Sequence, residues 1–251
     1  MKLEEYEIMF RVEETLWWYR GMQAITRALI ERTYPRGAGL KILDAGCGTG
    51  AAMSYLADYG TVIGLDFVPL AVRLAQRRAH TRLVCGSVLE LPFASASFDL
   101  VTSLDVLPML DAHRQCDMVA LNEMARLLKV GGRLLVRVAA YDWLRGAHDR
   151  LWDVQHRYTL TEMRAKLEHV GLTVEHGTYA NMWLFPLAAL KRLSEPLFPD
   201  QKQSDIALSV GPFNSVLAAI LTSEAPLAAR RSLPFGLSLI LVARKFSQHA
   251  H

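Results

Sequence analysis

The sequence predicts an α/β fold, a doubly wound and mostly parallel sheet with helices on both faces. Three observations predict it. Short apolar runs alternate with segments of helical period through the middle of the chain. Those runs are continuously apolar, as strands buried on both faces require. With 251 residues, 51% hydrophobic and 21% charged, the chain can bury one continuous core without disulfides or metal staples, which excludes global disorder.

The elements follow in order. Residues 3–34 read as helix, with apolar side chains at Ile8, Val12, Leu16, Tyr19, Ile25 and Leu29 and a break at Gly21. Residues 35–39, PRGAG, are punctuation. Strand 40–44 is followed by helix 50–59, strand 61–66 by helix 69–79, and short strands at 82–85 and 98–103 come next. Helix 111–128, strand 132–139, helix 161–170, and strands 172–179 and 236–245 complete seven strands. Thr159 or Thr161 caps the 161–170 helix and Gly171 stops it. Two stretches break the alternation, residues 140–158 and 181–234. Long insertions in a compact α/β domain are usually functional.

Charge and cysteine usage narrow the class. Lys and Arg total 28 against 25 Asp and Glu, a net +3, and no run of five like charges occurs, which argues against a nucleic-acid partner. Cys47, Cys85 and Cys116 are odd in number and form no CxxC pair, so a reducing cytoplasm is expected. No four-ligand spacing of Cys and His suggests zinc, and no metal requirement is expected. The first ten residues, MKLEEYEIMF, are acidic and amphipathic, unlike a signal peptide. The longest apolar runs, 181–190 and 233–243, fall short of the roughly 18 residues of a membrane span.

The most informative segment is residues 41–50, KILDAGCGTG, an apolar strand running into G-x-G-x-G before a helix. Glycines there permit a tight turn and close backbone approach to a ligand at the carboxyl end of a parallel strand. Asp66 ends the next strand, where a carboxylate can take both hydroxyls of a ribose. Read as G-x-G-x-x-A through Ala51, the loop would also suit a nicotinamide dinucleotide. Glycines serving packing alone are the remaining reading.

LDAGCGTG (43–50) resembles the first motif of class I S-adenosylmethionine-dependent methyltransferases. GLDFVPLAVRLAQRR (64–78) is similar to their acidic second motif, the stretch 85–110 to the third motif and fourth strand, and LLKVGGRLLVRV (127–138) to the L-K-P-G-G turn and fifth strand, with Val130 in place of Pro. Glu13-Glu14-Thr15-Leu16-Trp17-Trp18-Tyr19-Arg20-Gly21 and the His156-Arg157-Tyr158-Thr159 segment resemble a subgroup of bacterial small-molecule methyltransferases, with Leu16 where His is common.

The resemblance implies a Rossmann-like sheet with N-terminal lid helices (1–36), a cofactor-binding domain (37–180 and 235–247) and an insertion before the last strand (181–234). It implies S-adenosylmethionine as cofactor, S-adenosylhomocysteine as product, and backbone around Gly46, Cys47, Gly48 and Gly50 as the cradle. Asp66 would hold the ribose, Phe67 and Val88 would sandwich adenine, and Asp44 would order the loop amides or meet the ammonium group. Ser87 stands where Asp commonly takes the adenine amino group. Leu104, Trp18 and Tyr19 complete the expected cofactor set, and Cys47 reads as a small packing residue.

The Glu-His pair common after strand four is replaced by Pro108-Met109, so no base carries over from there. His156, then His148 and Tyr158, are the candidates to accept a proton from the methyl acceptor. The expected reaction is methyl transfer to an O, N or C nucleophile of a small, apolar or aromatic metabolite. The missing pair leaves open an S-adenosylmethionine-fold enzyme without methyl transfer, a cyclase or decarboxylase, or a non-catalytic cofactor-binding subunit. The apolar residues of 181–234 either pack a cap, line the acceptor pocket or form a homodimer interface.

Overall fold

The computed structural model describes residues 3–194, 211 and 213–247. Helices α1 (Leu3–Val12) and α2 (Trp17–Glu31) precede strand β1 (Leu40–Ala45). Then come α3 (Ala51–Leu56), β2 (Gly60–Asp66), α4 (Pro69–Arg77), β3 (Leu83–Cys85) and β4 (Phe98–Leu104). Helix α5 (Cys116–Leu127) runs directly into β5 (Leu128–Ala139), followed by α6 (Ala147–Trp152), α7 (Leu160–His169) and β6 (Leu172–Ala180). Helices α8 (Phe185–Ser194), α9 (Phe213–Ser223) and α10 (Ala225–Arg230) precede β7 (Ser238–Lys245).

One seven-stranded sheet has the order β3-β2-β1-β4-β5-β7-β6. Strands β1 to β5 pair in parallel, and β7 inserts antiparallel between β5 and β6. The expected Rossmann-like sheet is therefore present. Its middle is dry: Ile42, Leu43, Val101, Leu134, Val136 and Ile240 are fully buried. Strand order reverses between β1 and β4, which opens a crevice at the carboxyl ends of those strands. The glycine loop leaves β1 at that point.

Two helix boundaries differ from the sequence reading. Residues 111–115 form turns, because Gln115 adopts a left-handed φ of 56° and α5 starts only after it. The N-terminal break lies at residues 13–16 and not at Gly21. Gly21 is buried inside α2, where a Cβ would lie 2.3 Å from Leu221 Cγ on α9. It is therefore a contact point between two helices and no hinge.

The insertions are built into the fold. In 140–158, Arg157 is buried against Asp149, with Nε donating to Oδ1 at 2.9 Å and Nη1 to the Ala140 carbonyl at 3.0 Å. In 181–234, the fully buried Glu224 accepts the Asn181 amide at 2.7 Å and the Trp183 amide at 2.9 Å. Helices α9 and α10 pack on α2. Asn214 accepts the Trp17 amide at 2.8 Å and donates to the Thr15 carbonyl at 2.9 Å. Helix α2 thus packs with α9 and α10, while α1 packs on α4. Among the described residues no helix is long and apolar enough to cross a membrane.

Gly21→Ala tests this packing. Alanine favours helix over glycine by about 1 kcal/mol, yet here overpacking against Leu221 should destabilise the protein by about 1–3 kcal/mol. Urea denaturation should show that loss, and Leu221→Ala in the same chain should reduce it.

Candidate functional site

The loop after β1 turns back on itself through left-handed glycines, with φ of 87° at Gly46, 54° at Gly48 and 89° at Gly50. At Gly46 the constraint is double, since a Cβ would also lie 2.2 Å from Val106 Cγ2. No residue with a side chain satisfies both the dihedral and the space. The turn is held from β2. The Leu65 carbonyl accepts the Gly46 amide at 2.7 Å and the Cys47 amide at 2.9 Å. Asp66 then accepts the Gly48 amide at 2.8 Å on one oxygen and the Val68 amide at 2.9 Å on the other.

This divides the roles expected of the two carboxylates differently. Asp66, not Asp44, orders a loop amide. Asp44 accepts the Thr102 hydroxyl at 2.7 Å through Oδ1, while its buried Oδ2 has no hydrogen-bond partner among the described residues. A buried carboxylate oxygen without a donor costs free energy until a donor arrives. An ammonium group beside the glycine turn is such a donor, so these residues fit the amino-acid end of S-adenosylmethionine. Burial pushes the Asp44 carboxyl up to about 6, opposed by the Thr102 hydroxyl and the Arg137 charge. Burial also raises Asp66 and Glu13.

The remaining expected cofactor residues lie along the same edge. Phe67, directly after Asp66, is 73% exposed, so its ring face is open to a planar ligand. Val88 is buried, and Ser87 turns its hydroxyl to accept the Leu89 amide at 3.1 Å. Leu104 is half-buried at the end of β4. Cys47 is buried, with its thiol held above the ordinary range by burial and by the Asp44 and Asp66 charges, which suits packing and not nucleophilic chemistry. Tyr19 meets the Trp18 ring edge-on at 5.0 Å, and the Arg137 guanidinium lies 5.1 Å from the Trp18 ring centroid.

The three candidate proton acceptors separate. His156 is part-buried, its Nε2 lies 2.8 Å from Glu162 Oε1, and its ring meets Tyr158 edge-on at 4.5 Å. Its amide and that of Gln155 are held by the Pro108 carbonyl, at 3.2 and 2.7 Å, which sets it beside the loop after β4. Tyr158 is fully buried and donates its hydroxyl to Asp117 at 3.1 Å. Asp117 in turn pairs with Lys166 at 2.9 Å. Burial and the Asp117 charge hold the Tyr158 phenol above its ordinary range. Tyr158 is thus a core residue, a correction to its candidacy. The backbone of His148 lies in α6, and its side chain lies outside the described residues.

Several residues of the site were not singled out from sequence. Arg137 on β5 is buried and bonds Asp105 at 2.8 Å. Glu13 is buried and accepts the Thr49 hydroxyl and, at 2.9 Å, Arg78. Met9 of α1 reaches the loop as well. Tyr6 is buried on Ala71 and Leu74, with its phenol held above the ordinary range by burial and by the Asp66 charge, and a Cβ at Gly48 would lie 3.1 Å from Met9 Cε. His80 Nε2 lies 2.9 Å from the Gly50 carbonyl. No periodicity marks such residues, because each acts across a long sequence separation. Among the described residues, no three His, Cys, Asp or Glu side chains are grouped so as to hold a metal ion.

Two measurements test the carboxylate roles. An ammonium pairs with ionised Asp44 only. Affinity for S-adenosylhomocysteine should therefore be flat above about pH 6 and fall by up to about tenfold per unit below it, with the step lost in Asp44→Asn. Calorimetry across that range reads it. The same raised value gives the folded protein stability at low pH that is lost as pH rises through about 6. Asp66→Asn should weaken the same binding by about 1.5–3 kcal/mol, the worth of hydrogen bonds to a charged acceptor.

Residues 43–136 match the family described as a methyltransferase domain. A malonyl-[acyl-carrier protein] O-methyltransferase of Herminiimonas arsenicoxydans is 36% identical over 118 residues, covering 46% of this chain and 43% of that protein. The chain spans about half the length of the first curated relatives it matches. A probable S-adenosylmethionine-dependent methyltransferase of Mycolicibacterium smegmatis is 28% identical over 242 residues, 92% of this chain and 90% of that one. The chain solved in complex with the Haloferax volcanii Trm112 methyltransferase activator superposes with a TM-score of 0.62 at 22% identity, covering 99% of this chain and 96% of that one. Residues 43–136 thus match the methyltransferase-domain family, and the chain has the Rossmann-like fold of class I S-adenosylmethionine-dependent methyltransferases.

Proposed function

We propose that this chain transfers the methyl group of S-adenosylmethionine to an O, N or C nucleophile of a small, apolar or aromatic metabolite. The observation that carries the reading is the pair of buried carboxylates, Asp44 and Asp66, on either side of a left-handed glycine turn. One has an oxygen free for an ammonium group, and the other ends β2 where ribose hydroxyls would lie. When bound, the cofactor supplies an electrophilic methyl on a positively charged sulfur. The protein's part is to hold, orient and exclude water, which can supply much of the rate.

Side chains further along the carboxyl edge support this acceptor class. Tyr141, after β5, stacks on Tyr179 of β6 with ring centroids 5.0 Å apart. Trp143 and Phe185 join them at 6.0–6.1 Å, and Phe235 packs on Phe185 at 5.3 Å. Trp143 is 55% exposed and Phe235 39%, so this group keeps open faces and is not merely core. Beside it Asn181 is fully buried, with neither atom of its amide bonded among the described residues. An apolar or aromatic acceptor with one polar substituent matches this combination. His156, oriented by Glu162, is the proton acceptor of the proposal.

S-adenosylhomocysteine formation with a panel of phenolic, alcoholic and amine acceptors tests the reading. Turnover with an aromatic acceptor is expected, and cofactor binding without methylation of any class would turn the assignment toward a silent subunit. His156→Gln should lower kcat by about 10²–10⁴-fold with cofactor affinity unchanged, the usual worth of a general base. An unaltered kcat would remove His156 from the chemistry.

A further inference from the structure

Helix α1 is attached to the molecule differently from α2. Helix α2 buries Met22, Ile25 and Leu29 in the main core. The apolar face of α1 belongs to a separate small cluster, Tyr6 with Ala71 and Leu74, flanked by Met9, Phe10, Val68 and Leu70. All its partners come from α4 and the turn before it. A helix held only by so small a cluster opens at low cost. Yet α1 places Met9 against Gly48, so it reaches over the loop assigned to the cofactor.

Two guanidinium groups meet it: Arg77 Cζ lies 4.9 Å from the Phe10 ring centroid, and Arg78 makes the hydrogen bonds. Arg78, just past the end of α4, donates to the Phe10 carbonyl at 2.7 Å and to Glu13 at 2.9 Å, and also to Glu14. Its Cζ lies 4.4 Å from the Phe10 ring centroid. The same group donates through Nε to the Thr49 carbonyl in the glycine loop at 3.1 Å. Glu13 closes the circuit by accepting the Thr49 hydroxyl. The Arg78 and Glu13 side chains are 8% and 6% exposed, so the pair is desolvated and depends on both partners being in place.

We propose that Arg78 is a positioning residue, a latch that couples seating of α1 over the glycine loop to the conformation of that loop and so gates exchange of S-adenosylmethionine and its product. The proposal rests on the cofactor reading above. The logic is geometric. A ligand lying along residues 46–50 sits under α1, so it enters and leaves when α1 lifts. Lifting α1 withdraws the Phe10 carbonyl and Glu13 from Arg78 and the Glu13 carboxylate from Thr49. A loop shaped by ligand keeps the Thr49 carbonyl and hydroxyl where Arg78 and Glu13 meet them, so ligand and latch favour the same closed arrangement.

The test has two arms on the full chain, using Arg78→Ala, Arg78→Lys and the isosteric Glu13→Gln. Without ligand, hydrogen exchange in residues 3–12 should accelerate at least tenfold in Arg78→Ala, while β1, β4 and β5 keep their protection. Unchanged exchange in α1 overturns the latch whatever the protein binds. With S-adenosylhomocysteine as probe, stopped-flow dissociation should accelerate at least tenfold in Arg78→Ala and in Glu13→Gln, with partial rescue in Arg78→Lys. Faster α1 exchange with an unaltered off-rate overturns the gate. Absence of S-adenosylhomocysteine binding to the wild-type chain defeats the cofactor reading and with it the gate, and leaves the ligand-free arm to judge the latch. If Arg78→Ala does not fold, Glu13→Gln carries both arms.

Discussion

The left-handed turn between β1 and α3 is the constraint on which the site depends. It places four consecutive peptide groups at the carboxyl edge in a shape no ordinary residue can hold at Gly46. Such a turn persists only when its surroundings determine it. Here they do so residue by residue. Leu65 takes two of its amides, Asp66 a third, Arg78 and His80 take carbonyls, and Glu13 takes the Thr49 hydroxyl. Strands β1 and β2 and helix α4 are thereby tied to one another, and the N-terminal segment joins them through Glu13.

The electrostatics of this edge are costly and organised. Asp44, Asp66 and Glu13 are all buried, and burial raises each carboxyl. The cations that offset them, Arg78 and Arg137, are buried too and engage Glu13 and Asp105. Ion pairs of this kind rarely add stability over a packed apolar core. What they provide is a fixed field with excess negative charge beside the glycine turn. A ligand carrying an ammonium and a sulfonium gains from that field without reorganising it.

The helical layer over the edge has two parts with different mechanical roles. Helices α2, α9 and α10 are a packed floor, with Gly21 permitting the close approach of Leu221. Helix α1 is a light cover resting on a satellite cluster, with Arg77 and Arg78 over Phe10 and Arg78 hydrogen-bonded to it. Placing the adjustable element over the proposed cofactor residues, and keeping the rigid one as α2 packed with α9 and α10, reconciles a well-determined core with ligand exchange.

The sequence by itself determined the alternating order of strands and helices, the parallel sheet, the glycine turn and the acidic residue ending β2. These follow from short-range periodicity and from dihedral demands that a few residue types satisfy. Tertiary structure alone decided which carboxylate bonds the loop and which keeps an open oxygen. It also showed Tyr158 buried against Asp117, where the sequence motif read as site, and Gly21 packed against Leu221, where glycine read as a helix break. The Arg78–Glu13–Thr49 circuit joins residues separated by 65 and 36 positions. Contacts at that distance leave no periodic trace, because their partners are chosen by how layers stack and not by neighbours along the chain.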